Sequence, residues 1–232
     1  PMTGIAPRTS ASPRSRMALH LAWAALWLLL GIASLEFLLA AYGKYRHLDS
    51  AAYGMFMTRR GWLWMHLAGG LTTVLLGPVQ FFTQWRHRYP RPHRLVGRVY
   101  LSGLLVAATG AVGLIASSPA PFAIRLAFSA TALAWLTTAL TGLVAIRRGA
   151  VERHRRWMVR HYAVTLAPIL FRLSLPLAIA GGLAPSPALI ATLLWCSWVV
   201  PLLACETVRR LAGLWRATRV PLPGAVPLAG AR

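Results

Sequence analysis

The stretch RHRRWMVRHYAVTLAPILFRLSLP, residues 153–176, decides how this chain folds. It opens as a basic cluster that holds His154 and His161, seven residues apart. It then turns into an apolar run with Arg172 far from either end. An arginine inside a lipid-spanning segment costs at least a few kcal/mol unless it is paired or faces water, so Arg172 marks a candidate functional position. Outward from this stretch the pattern repeats. Apolar runs of about 20 residues, the length that crosses a hydrocarbon core, alternate with short arginine-rich connections.

Composition agrees. Of 232 residues, 57% are hydrophobic and only 12% charged, which places the chain in the membrane class. The formal net charge of +21 would suggest nucleic-acid binding in a soluble protein. Here the arginines flank apolar runs, so the excess reads as a topology signal and an affinity for anionic lipid, with no nucleic-acid partner. The two cysteines, Cys196 and Cys205, lie on opposite sides of one helix and form no disulfide.

The expected fold is all-α, a polytopic bundle of six transmembrane helices at about 18–41, 62–83, 97–117, 122–146, 156–180 and 187–208. Residues 1–17 read as a disordered basic tail, 18–210 as the transmembrane domain and 211–232 as a disordered C-terminal tail. Pro90 and Pro92 predict a stiff, extended connection before the third helix. Gly103, Ala107, Gly110 and Gly113 repeat at close to helical spacing and predict tight packing against a neighbour. Pro168 and Pro176 predict kinks in the fifth helix. With the N-terminus in the cytoplasm, 19 Lys and Arg residues lie on the inner side and five on the outer, so both termini are expected to be cytoplasmic.

Two polar clusters stand out. A rise of about 1.5 Å per residue puts Glu36, His66 and Arg172 at roughly 8, 6 and 12 Å below the outer ends of three different helices. A carboxylate, an imidazole and a guanidinium at similar depth can satisfy one another, with Glu36 and Arg172 as an ion pair. They can equally line a pocket for a headgroup, quinone or other small ligand.

The second cluster is expected at the inner face and comprises Gln80, His87, His93, His154, His161 and Glu206, ringed by arginines that include Arg98 and Arg160. One reading is a solvated rim that binds lipid headgroups. The other is a b-type haem held by imidazoles from facing helices, with arginines near its propionates. His66 alone supplies the outer layer, so one haem fits the histidine count and two do not. No zinc motif, phosphate loop or nucleophile elbow occurs, and no metal site is expected.

The segments HLAGGLTTVLLGPVQFF, PRPHRLVGRVYL, ERHRRWMVRHYAVTLAPILFRLSLP and WCSWVVPLLACE resemble a family of bacterial predicted membrane proteins catalogued as a domain of unknown function, over about 66–206. The resemblance implies that His66, Gln80, His93, Gly97, Arg98, Tyr100, His154, Trp157, Met158, Arg160, Arg172 and Glu206 occupy the family's pattern positions. His161 stands where a small polar residue such as serine is expected, which shifts the ligand role toward His154. The His-Arg-x-x-Gly-Arg phrase is also similar to a short phrase of cytochrome b561-type domains. These readings give a multi-pass protein of the bacterial inner membrane, linked to b-type haem, quinone or another electron-transfer partner. The alternative is a small-molecule transporter or a lipid-binding scaffold without redox activity.

Overall fold

An apolar run that crosses a bilayer must satisfy its own backbone N–H and C=O groups, and the α-helix does so locally. The computed structural model describes residues 13–47, 49–85 and 90–217, and its described residues form helices, turns and no strand. His87 and both distal tails lie outside the described residues. The chain divides into two compact units, Pro1–Met57 and Thr58–Arg232.

In the first unit, α1 (Pro13–Tyr45) is a long apolar helix that starts five residues before the expected boundary. The following segment, expected as a plain polar loop, folds into a one-turn helix, α2 (Ser50–Tyr53), and a 3₁₀ segment over Gly54–Arg59 that runs on into the second unit. Asp49 Oδ1 accepts the Ala51 N–H at 3.0 Å, a side-chain N-cap. Gly54, at φ +49°, supplies the left-handed residue that ends the turn. The Tyr53 hydroxyl donates to the Tyr45 carbonyl at 3.0 Å, and the two rings meet edge to face at 5.2 Å.

The second unit contains α3 (Arg60–Trp85), α4 (Pro90–Ala116), α5 (Phe122–Arg147), α6 (Val151–Thr165), α7 (Ala167–Ala180) and α8 (Pro187–Ala217). Three boundaries correct the sequence reading. The third apolar helix begins at Pro90, not near 97, because both prolines fall in the first turn, where the missing N–H has no intrahelical acceptor to lose. The fifth segment is two helices, broken at Leu166 and bent by 40°. Pro168, the second residue of α7, has no N–H to continue the hydrogen bonding of α6. Residues 211–217, assigned to a tail, extend α8.

Among the described residues, five helices are long and apolar enough to cross a membrane, and six spans result when α6 and α7 count as one bent span. Their large side chains point outward: Leu105, Leu133 and Leu203 are each more than 60% exposed. Apolar surface on that scale is stabilised by lipid and not by water, so this is a multi-pass membrane protein.

Small residues set the interior spacing. Gly69 lies against Gly103 and Ala107, and Gly110 lies against the backbone of Trp62 and His66, so α3 and α4 approach almost backbone to backbone. The Arg59 guanidinium, buried at the end of this seam, donates to the Leu114 carbonyl at 3.2 Å. Gly77 opens a flat spot on α3 for the Tyr162 ring of α6, which Phe81 meets edge to face at 5.4 Å. Leu104, Ala107, Trp135, Ala139 and Val164 form the central core, with Trp198 and Leu202 of α8 packed on it. A second cluster, Ile124, Ala127, Ala191 and Leu194, joins α5 to α8 nearer the other end.

Candidate functional site

Helices α3, α4, α5, α6 and α8 bring most of the polar residues singled out in the sequence to one end of the bundle. Three imidazoles there and along α3 share a construction. His66 Nδ1 lies 3.0 Å from the Ala107 carbonyl, His154 Nδ1 lies 2.8 Å from the Gly142 carbonyl, and His161 Nδ1 lies 3.1 Å from the Trp135 carbonyl. A carbonyl oxygen only accepts, so each Nδ1 donates, and in the neutral ring Nε2 is the atom that carries the lone pair. In every case the carbonyl belongs to a neighbouring helix. A backbone acceptor behind Nδ1 fixes ring orientation and tautomer, the arrangement found behind imidazoles that bind through Nε2.

His154 and His161 lie on one face of α6, as their seven-residue spacing requires, and meet carbonyls that are themselves seven apart on the antiparallel α5. The local sequence allows this. Gly142 carries no side chain, so the Met158 thioether and the Trp157 stem fit against bare α5 backbone.

His161 is completely buried. The Trp135 indole stacks on its ring at 6.0 Å, and the Tyr100 ring approaches edge-on at 5.6 Å. Thr138 Oγ1 sits 3.2 Å from Nδ1. One helical turn on, Thr165 Oγ1 donates to the His161 carbonyl at 3.0 Å and accepts the Trp135 Nε1–H at 2.8 Å. The Tyr100 hydroxyl is 3.4 Å from the same Thr165 oxygen. Thus α4, α5 and α6 are tied by a buried polar network. Its one open valence is His161 Nε2, which has no partner among the described residues; Trp198 Nε1 is in the same position.

At the start of α4, His93 is partly buried and its carbonyl accepts from Gln80 Nε2 at 3.0 Å. Gly97 leaves room for the Gln80 amide, which a Cβ there would approach to 3.5 Å. His93 is within electrostatic reach of His154. Arg98 lies exposed one turn into the apolar part of α4. Arg160 packs its guanidinium over the Trp157 ring at 5.0 Å and donates from Nη2 to Glu206 Oε2 at 2.7 Å. Glu206 also takes Arg209 and Arg210, so one carboxylate gathers three guanidiniums about three turns before the end of α8.

The other cluster comprises Glu36, His66 and Arg172. Glu36 is exposed on α1 in the first unit, and Arg172 is exposed on α7 in the second. His66 is committed to the α3–α4 seam through Ala107. Among the described residues no three His, Cys, Asp or Glu side chains converge as a metal site.

Sequence reading missed Trp135, Thr138 and Thr165. Trp135 carried a signal, since it lies in mid-span while tryptophans of membrane helices concentrate at the interfaces.

A bundle of this kind, with its histidines oriented by neighbouring carbonyls and its arginines collected at one end, defines an integral membrane protein with an ordered polar interior. Residues 63–208 match the family model described as "Predicted membrane protein (DUF2306)", and the chain belongs to that family. No curated protein and no solved structure matches the chain. The family assignment adds nothing to the shorter likeness to cytochrome b561-type domains.

Proposed function

We propose that the chain is a redox component of the bacterial inner membrane, and that His93 and His154, where α4 and α6 begin, would hold one b-type haem. The observation that carries this reading is the His154 Nδ1–H bond to the Gly142 carbonyl, with His93 in reach on α4. That bond leaves Nε2 as the donor atom and makes it more basic. The side-chain contacts of Tyr100 on α4 with His161 and with Thr165 on α6 lie about two turns further along both helices than His93 and His154. The donor chemistry fits: two imidazoles, with Arg98 and Arg160 to pair with propionates.

When bound, the haem supplies one-electron chemistry, and a quinone in the bilayer is the fitting partner. The residues of the chain do the rest. Gly142 and Gln80 orient the two histidine-bearing segments, and the excess of guanidinium over carboxylate favours anionic propionates. Trp157 holds the Arg160 fork in place through its ring. His161, closed in by Tyr100 and Trp135, serves packing in this reading.

Purified protein is expected to show the reduced-minus-oxidised Soret and α bands of b-type haem. His93→Ala and His154→Ala should each abolish them, and His161→Ser should retain them. A colourless wild type, isolated from haem-replete cells, refutes the redox reading and leaves the transporter or lipid-binding scaffold. Bands that survive both alanine variants remove this pair as ligands.

A further inference from the structure

We propose that the groove beside the turn between α5 and α6 is a binding site for the phosphate headgroup of an anionic glycerophospholipid. The groove has a volume of about 670 Å³, within the range of small-molecule sites. Arg148, Arg153 and Arg156 line its rim, and Val144, Ala145 and Val151 form its apolar wall. Glu152 is the one acid there, and it is paired with Arg155 at 3.0 Å. Glu152 pairs with Arg155, and Glu206 with Arg160, Arg209 and Arg210, so neither carboxylate takes one of the three groove arginines.

The turn itself adds to the attraction. Gly149, at φ +72°, reverses the chain between Arg148 and the first turn of α6. Ala150 at the N-cap offers no side-chain acceptor; the Val151 N–H donates to the Gly149 carbonyl at 2.9 Å, and the helix dipole of α6 places its positive end at this turn. An oxyanion placed here meets three guanidiniums, whose planar forks match phosphate oxygens. This is a stronger positive concavity than a helix end alone provides.

A lipid suits the groove better than a free anion because charge and grease are ordered along it. The guanidiniums stand where α5 ends and α6 begins, at the edge of two membrane-crossing elements. The apolar wall continues down α5 from that edge, alongside where an acyl chain would lie. A free phosphate would use only the rim. The site is independent of His93 and His154, so it stands whether or not the protein binds haem.

The test uses the full-length protein in detergent, with dioleoyl phosphatidylglycerol, dioleoyl phosphatidylcholine and inorganic phosphate as probes. Retained lipid is read by native mass spectrometry and stabilisation by thermal unfolding. Wild type is expected to retain phosphatidylglycerol and to be stabilised by it, and phosphatidylcholine should do neither. The triple variant Arg148→Gln, Arg153→Gln, Arg156→Gln should retain at least tenfold less phosphatidylglycerol. A control that removes three arginines elsewhere, Arg94→Gln, Arg147→Gln, Arg210→Gln, should retain the wild-type amount. The single variants Arg148→Gln and Arg156→Gln, each expected to lose about threefold, carry the test if the triple variant does not fold. Equal loss in groove and control variants would show a diffuse basic field and overturn the site. Equal stabilisation by inorganic phosphate would assign the site to a free anion and overturn the lipid. Wild type indifferent to phosphatidylglycerol would overturn both.

Discussion

Replacing Gly110 by alanine tests whether the α3–α4 seam is as close as the structure has it. A Cβ at Gly110 would lie 2.5 Å from the His66 backbone nitrogen and 2.6 Å from the Trp62 carbonyl oxygen. Both are helix backbone atoms that cannot rotate aside. Ordinary contact begins near 3.4 Å, so the helices must part by roughly 0.9 Å at this point. Parting forfeits dispersion along the whole seam and lengthens the 3.0 Å bond from His66 to the Ala107 carbonyl. Overpacking of this kind costs about 1–3 kcal/mol, and the value here should fall at the upper end because no side chain can absorb the clash. Gly70→Ala is the control: nothing lies within 4 Å of a Cβ there, and the helix gains the better former. Chemical unfolding in mixed micelles gives both free energies. Equal stability of the two variants, within about 0.5 kcal/mol, would mean that α3 and α4 do not pack through Gly110.

Two further outcomes follow from the interior and from the topology. Thr165→Val removes the acceptor of the Trp135 indole and the neighbour of the Tyr100 hydroxyl. The loss should be about 1–3 kcal/mol, and a double-mutant cycle with Trp135→Phe should show strong coupling; additive losses would deny the hydrogen bond. For orientation, a cysteine at Ser118 in a background without Cys196 and Cys205 should react with a membrane-impermeant thiol reagent on intact cells. One at Arg147 should react only after lysis, and the reverse pattern would invert the topology.

The sequence carried the spans and the seam because both depend on local composition: run length for the spans, small residues at Gly103, Ala107 and Gly110 for the seam. The spacing of His154 and His161 likewise transferred directly, since α6 is continuous between them. Other features depend on what a residue meets. Pro90 and Pro92 read as an extended connection, yet a proline in the first helical turn breaks nothing. Pro168 signalled a kink, but the position and size of the break at Leu166 depend on how α6 and α7 pack on different neighbours. His161 looked like the weaker candidate because the family pattern expects a serine there. Its full burial comes from Tyr100 and Trp135, 61 and 26 positions away in the chain, and no window of sequence contains all three. Glu36 and Arg172 are matched on depth alone, and they belong to different units of the chain.

The bend at Leu166 also has a consequence for the surrounding bilayer. α7 has 14 residues and spans about 21 Å along its axis, well short of a hydrocarbon core of about 30 Å. The missing length must come from the last turn of α6, which leans away by 40°. It carries His161 and Thr165 turned inward, with Ala163 and Val164 closing the same turn. The apolar run on this flank is therefore interrupted by a bend, whereas α4 runs unbroken. A lipid annulus that fits α4 would be mismatched beside α7, and the protein is expected to partition toward the thinner bilayer when offered two thicknesses.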